Sequence, residues 1–120
     1  MSDRLAEALF ALSPAIRYVA VERGGEVELR ERAGLADASA SESDRYEELL
    51  VNPTLLELAR RRGEIDCGGL DYLVVAYGNF FQLVVPIDGG HASVAIERTE
   101  LPTELVQSVR DALASAGIER

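Results

Sequence analysis

Apolar residues open the chain at helical spacing: Leu5, Leu9 and Leu12, with Ala8 beside them, fall on one face, and Ser13-Pro14 halts the run. A short amphipathic helix is predicted there. The period then changes from helical to alternating. The runs IRYVAVER and EVELRER flank Gly24-Gly25, a pair that accepts positive φ at both turn positions, so they read as a β-hairpin. In the second arm Val27 and Leu29 alternate with Glu26, Glu28, Arg30 and Arg32, which marks a strand with one wet face, as at the edge of a sheet.

A polar stretch, ADASASESD, leads into a helical run carrying Tyr46, Leu49 and Leu50, for which Ser41 or Ser43 can serve as N-cap. Asn52-Pro53 interrupts that run and reads as a cap followed by proline in a first turn. Two short helices or one kinked helix are therefore expected across residues 43–62, ending at Gly63. After GEIDCGG, three strands are predicted at residues 70–77, 80–87 and 91–98, joined by two-residue turns at Gly78-Asn79 and Gly89-Gly90. The first two are apolar on both faces, which implies that both faces are covered. Pro102 then opens a helix whose Leu105, Val109, Ala112, Leu113 and Ala116 form one stripe, with Gly117 as its stop.

The order α-ββ-α-βββ-α predicts an α+β fold in a single domain over residues 1–120: a five-stranded antiparallel sheet, hairpin plus three-strand meander, with helices on both faces. The polar arm 26–32 should form one edge. The strand at 70–77 should form the other.

Charge narrows the partners. The 120 residues include 21 acidic and 12 basic side chains, for a net charge of −9, and such a surface repels phosphate backbones, so no nucleic acid is expected to bind. Every basic residue is Arg. The absence of Lys removes phosphate-loop lysines and Schiff-base nucleophiles together, and in an Ala- and Val-rich chain it suggests a bacterium of high genomic GC. With Cys67 as sole cysteine no intrachain disulfide can form, which fits a reducing compartment. The start MSDRLAEALFALSP lacks the pattern of a signal peptide, and the barest stretch, residues 70–87, is broken by Gly78, Asn79, Gln82 and Pro86. A cytoplasmic location without membrane attachment is expected.

Catalytic chemistry finds no foothold. His91, the only histidine, has no His or Cys at ligand spacing and is expected to be an exposed strand-start residue. No G-x-S-x-G elbow is present, and the glycine pairs join strands to strands instead of leading into a helix N-terminus. Glu47-Glu48 and the set Glu26, Glu28 and Glu31 read as solvated faces, with no calcium-loop pattern. No catalytic residue, cofactor or metal is therefore expected, and the chain does not read as an enzyme. Arg60, Arg61 and Arg62 either complement the dipole at a helix C-terminus or face an acidic partner.

The feature that asks for a function is LDYLVVAYGNFFQLVVPI, which holds a single charge, Asp71. A long apolar edge without Pro or Lys invites pairing, and a second copy of the chain is the natural occupant. Tyr72, Leu73, Val74, Val75 and Ala76 would build the seam strand. Tyr46, Leu49, Leu50 and Leu56 would border it from the middle helix, with Arg60 beyond them. A seam of strand plus helix can bury about 1,600 Å², the usual size of a stable interface. Cys67 would lie close to it.

The hairpin IRYVAVERGGEVELRERAG, the meander YLVVAYGNFFQLVVPIDGGHASVAIE and the closing LPTELVQSVRDALASAG, in that order, resemble the Roadblock domain family, the dynein light chain and small-GTPase-regulator type of profilin-like fold. The resemblance implies that the 70–77 strand pairs with its twin, so that two chains share a sheet with the middle helices packed across the seam. It also implies a non-enzymatic homodimeric scaffold or regulatory platform, often for a Ras-like small GTPase. Asn52-Pro53 departs from the family, whose middle helix is commonly continuous. Two other readings stay open: an acidic secretion-type chaperone for a client peptide, which usually has three strands before the middle helix, and a small-molecule sensor.

Overall fold

The computed structural model describes residues 1–34 and 41–120, so the first part of the linker and the side chain of the proposed Ser41 cap lie outside what is described. Helix α1 (Asp3–Phe10) starts where the Ser2 hydroxyl accepts the Leu5 N–H at 3.1 Å, and it buries Leu5, Ala6 and Leu9. Strands β1 (Ile16–Arg23) and β2 (Glu26–Glu31) turn at Gly24 and Gly25, whose φ of 58° and 86° a side chain would resist. Strands β3 (Leu73–Ala76), β4 (Phe80–Ile87) and β5 (Gly90–Glu97) complete one five-stranded antiparallel sheet in the order β2-β1-β5-β4-β3. The arm that alternates and the arm that carries Asp71's ribbon are thus the two edges.

The sheet has two unlike faces. On one, α1 and α4 (Val106–Ser115) cover Ile16, Val19, Leu83, Val85, Val94 and Ile96 with Leu5, Leu9, Val109 and Leu113. This is the dry core, and α4 enters it through a 3₁₀ turn at Pro102–Glu104. On the other face lies a middle helix, built from α2 (Ser41–Tyr46), a π-helical turn (Glu47–Val51) and α3 (Asn52–Asp66) without a break. Its contacts with the sheet are largely polar.

The π turn explains how the helix survives Pro53. In a regular helix the proline ring would strike the carbonyl four residues back, on Leu49, and would leave it without a donor. Here the Asn52 N–H reaches the carbonyl of Glu47, five residues back, and the widened turn makes room. Asn52 has helical φ and ψ of −61° and −47°, so it is no cap, and the expected interruption is a bulge in a continuous helix.

Three further expectations change. Helix α3 runs on to Asp66 because Gly63 is not a stop: a Cβ there would sit 2.8 Å from the Gly69 carbonyl oxygen, so the glycine admits the returning loop. The arginine cluster consequently lies inside the helix and not in its last turn. The β4–β5 turn is Asp88-Gly89, since Ile87 pairs with Gly90 and a side chain on Gly90 would run into the Glu22 carbonyl on β1. Strand β3 is shorter than the apolar run, and Leu73, Val74 and Val75 are half-buried instead of covered on both faces. Among the described residues, no helix is long and apolar enough to cross a membrane.

Candidate functional site

The β3 edge is held from both ends. Asp71 lies 2.6 Å from the Arg110 guanidinium on α4 and 3.3 Å from that of Arg120, so the only charge of the ribbon is compensated within the chain. At the other end Arg98 donates to the Tyr77 carbonyl at 3.0 Å while its guanidinium covers the Phe81 ring at 4.4 Å. Between these anchors β3 pairs with β4 on one side, while no described strand lies on the other. Tyr72 and Val74 pack against the dry core, which leaves Leu73 and Val75 on the middle-helix face and Ala76 exposed.

The middle helix carries apolar side chains to its surface. Tyr46 is 60% exposed and Leu50 50%, with Leu49 and Leu55 exposed as well. Leu58 and Ile65, at 64% and 75%, were not singled out from the sequence, although the helical period carried past Pro53 would have found them. Leu56 departs from expectation: it is 2% exposed, turned inward, and offers a partner no surface. Arg61 and Arg62 form exposed i,i+4 pairs with Glu57 and Asp66, and each guanidinium holds its carboxylate below the usual range. Arg60 lines a cleft with Glu57, Pro86 and Arg120. Cys67 is exposed, its sulfur 3.3 Å from the Asp66 carboxylate.

Beneath the helix lies a cluster that contradicts two expectations. Glu48 is fully buried, not solvated, and His91 is 1% exposed, not a surface residue. The Glu48 Oε1 atom accepts from Ser93 Oγ at 2.5 Å and Asn52 Nδ2 at 3.1 Å, and His91 Nε2 lies 2.8 Å away. Its Oε2 accepts the Tyr18 hydroxyl at 2.6 Å, and Gln82 Nε2 at 3.4 Å. Glu22 closes the set, its Oε2 3.4 Å from His91 Nδ1 and its Oε1 accepting the Gly25 N–H. Two causes act together: β5 is a central strand with neighbours on both sides, and the π turn directs consecutive residues, Glu47 and Glu48, into the protein.

The arrangement fastens a helix. Ser93 gives its proton to Glu48 and not to His91, so serine, histidine and carboxylate are not in nucleophilic order. Burial, then the Glu48 carboxylate, push the Tyr18 phenol far above its ordinary value, and burial with the Glu47 contact raises Tyr77. Among the described residues, no group of His, Cys, Asp and Glu is placed to hold a metal ion.

A Roadblock/LC7 domain from Streptomyces avermitilis superposes with a TM-score of 0.75, covering 97% of this chain and 94% of that chain at 17% identity. The chain has the Roadblock/LC7 fold. No protein-family model matches the sequence, and no curated protein matches it. The Roadblock-like architecture agrees with the sheet order, in which the short β3 stands at an edge. At such low identity the likeness fixes the backbone alone, so every side-chain role has to come from this chain's own contacts.

Proposed function

We propose that this Roadblock-like domain is a non-enzymatic homodimeric platform that acts in the cytoplasm by holding or regulating a partner protein. The observation that carries this reading is the β3 edge, an uncharged rim whose outer N–H and C=O groups meet no described strand, in a chain whose middle helix also exposes Tyr46, Leu49 and Leu50. Unpaired, such an edge is a template for aggregation, and an antiparallel β3–β3 contact with a second copy satisfies it. The middle helices of the two copies then approach across the seam. A Ras-like small GTPase is the first candidate for the partner, a suggestion that rests on kinship of fold.

Two observations weigh against the other readings. Among the described residues only two strands precede the middle helix, one fewer than a secretion-type chaperone usually has. The space between helix and sheet, where a sensor would hold a metabolite, is filled by the Glu48 cluster. Light scattering at micromolar concentration should report a dimer, and affinity purification from the native host followed by mass spectrometry should recover a protein partner. A GTPase among the recovered proteins is then assayed for nucleotide hydrolysis with and without the platform. A stable monomer at that concentration ends the proposal.

A further inference from the structure

At the start of the middle helix a cavity of about 350 Å³ opens between α2 and the β3–β4 turn, walled by Asp44, Glu47, Tyr18, Tyr77 and Phe80. Glu47 is the unusual member. It is only 8% exposed, and while Oε1 accepts the Tyr77 hydroxyl at 2.6 Å, Oε2 is buried with no hydrogen-bond partner among the described residues. An ionised carboxylate left half-satisfied out of water is costly, and proteins normally answer such an oxygen with a donor or a cation. Residues 35–40, which precede α2, read LADASA and contain no cationic side chain. Among the described residues no cation answers that oxygen.

We propose that this cavity receives a guanidinium group, the arginine side chain of a basic protein docked on the platform, with the Glu47 carboxylate as its acceptor. The walls favour that chemistry. Tyr77 and Phe80 stand with ring centroids 5.2 Å apart beside the carboxylate, and planar guanidinium groups stack on aromatic rings while they pair with carboxylates. The molecule already does this once, since the Arg17 guanidinium lies 5.7 Å from the Phe80 centroid. An ammonium is more strongly hydrated and gains less from such a wall. The chain's net charge of −9 draws a basic surface toward the mouth.

Protonation gives the site a direction in pH. Burial, aided by the charge of Glu48, raises the Glu47 carboxyl above the usual range, against the opposing pull of the Tyr77 hydroxyl and His91, with Tyr18 and Asp44 also facing the cavity. A proton therefore competes with the cation at a higher pH than it would for a surface glutamate, and binding should weaken as the solution is acidified.

The inference rests on the platform reading only for the source of the arginine. The test uses the whole chain, titrated with methylguanidinium and, separately, methylammonium, and followed by amide NMR at constant ionic strength. Saturable shifts at Gly78, Asn79 and Phe80 with methylguanidinium are expected. Glu47→Gln, which keeps an acceptor for Tyr77 and removes the charge, should weaken binding about ten-fold or more. Absence of saturation in the wild type, equal affinity in the variant, or equal affinity for methylammonium overturns the proposal. Light scattering on the same samples separates the two readings: a monomer that binds methylguanidinium retains the site and loses the platform. A dimer that Glu47→Gln dissociates means that the second copy supplies the cation, which overturns the assignment to a docked protein.

Discussion

Oε1 of Glu48 lies 2.8 Å from Nε2 of His91, and neither side chain is more than 1% exposed. Through this contact and those to Tyr18, Gln82 and Ser93, one carboxylate ties the middle helix to β1, β4 and β5. Hydrophobic burial fastens the opposite face, but here the joint is polar, so its strength depends on every partner being present. Glu48→Ala should cost about 3–5 kcal/mol, because it strands several buried donors at once. Urea denaturation measures this. A loss under about 1 kcal/mol, the worth of an ordinary hydrogen bond, would mean the cluster does not hold the helix.

Two phenols, Tyr18 buried and Tyr77 half-buried, predict an alkaline limit. Tyr18 and Tyr77 have folded-state values raised above their unfolded ones, so the folded chain holds these protons more tightly than the unfolded chain does. Their stabilisation is complete below the ordinary tyrosine value of about 10 and drains away as pH rises beyond it. In a spectrophotometric titration the phenolate signal of these two residues should appear together with loss of helix circular dichroism. Tyr18→Phe should shrink that coincident step. Full ionisation of both while the fold persists would contradict the burial assigned to them.

Two glycines are predicted to resist alanine for steric reasons. At Gly63 a methyl group meets the Gly69 carbonyl oxygen at 2.8 Å, and at Gly90 it meets the backbone of Glu22. Neither has a positive φ, so conformational strain is not the cause. Each substitution should destabilise by about 1–3 kcal/mol through overpacking, although alanine is the better helix former at position 63. A thermal melt decides. An unchanged or raised Tm for Gly63→Ala would show that the loop into β3 yields freely.

The edge can be tested at a strand position and at a helix position. Val74→Pro removes a backbone donor from β3 and should yield monomer or precipitate. Because Val74 also packs on the core, Leu50→Glu supplies a second test at a half-exposed site that the fold does not need. It should weaken self-association at least ten-fold in sedimentation, with little change in the monomer's melting temperature. A dimer untouched by both variants would put the seam elsewhere.

The hairpin was legible because Gly24-Gly25 and the alternation after it leave one register open, and β4 coincides with the predicted 80–87 run. The middle helix was legible in its exposed residues and not in its buried ones. Tyr46 and Leu50 are where an amphipathic reading puts them, but Glu47 and Glu48 point inward although the rule that polar side chains face water assigned them to the surface, and Asn52, read as a cap, is buried beside them. Pro53 was seen as a break. That a π turn absorbs it depends on one hydrogen bond, Asn52 to Glu47, which no propensity encodes.

The sequence by itself determined the order of elements, the antiparallel meander, the polar β2 edge and the apolar β3 edge, since each follows from the period of side chains along a few neighbouring residues. Only the tertiary structure decided the fate of His91. Its strand looks ordinary, but Glu48, 43 residues away, is brought over it by a helix whose phase the π turn has shifted. The same holds for the Glu47 cavity and for Asp71, whose charge Arg110 compensates from 39 residues downstream. Local periodicity tells which side chains share a face, but what covers that face is set by packing between segments far apart in the chain.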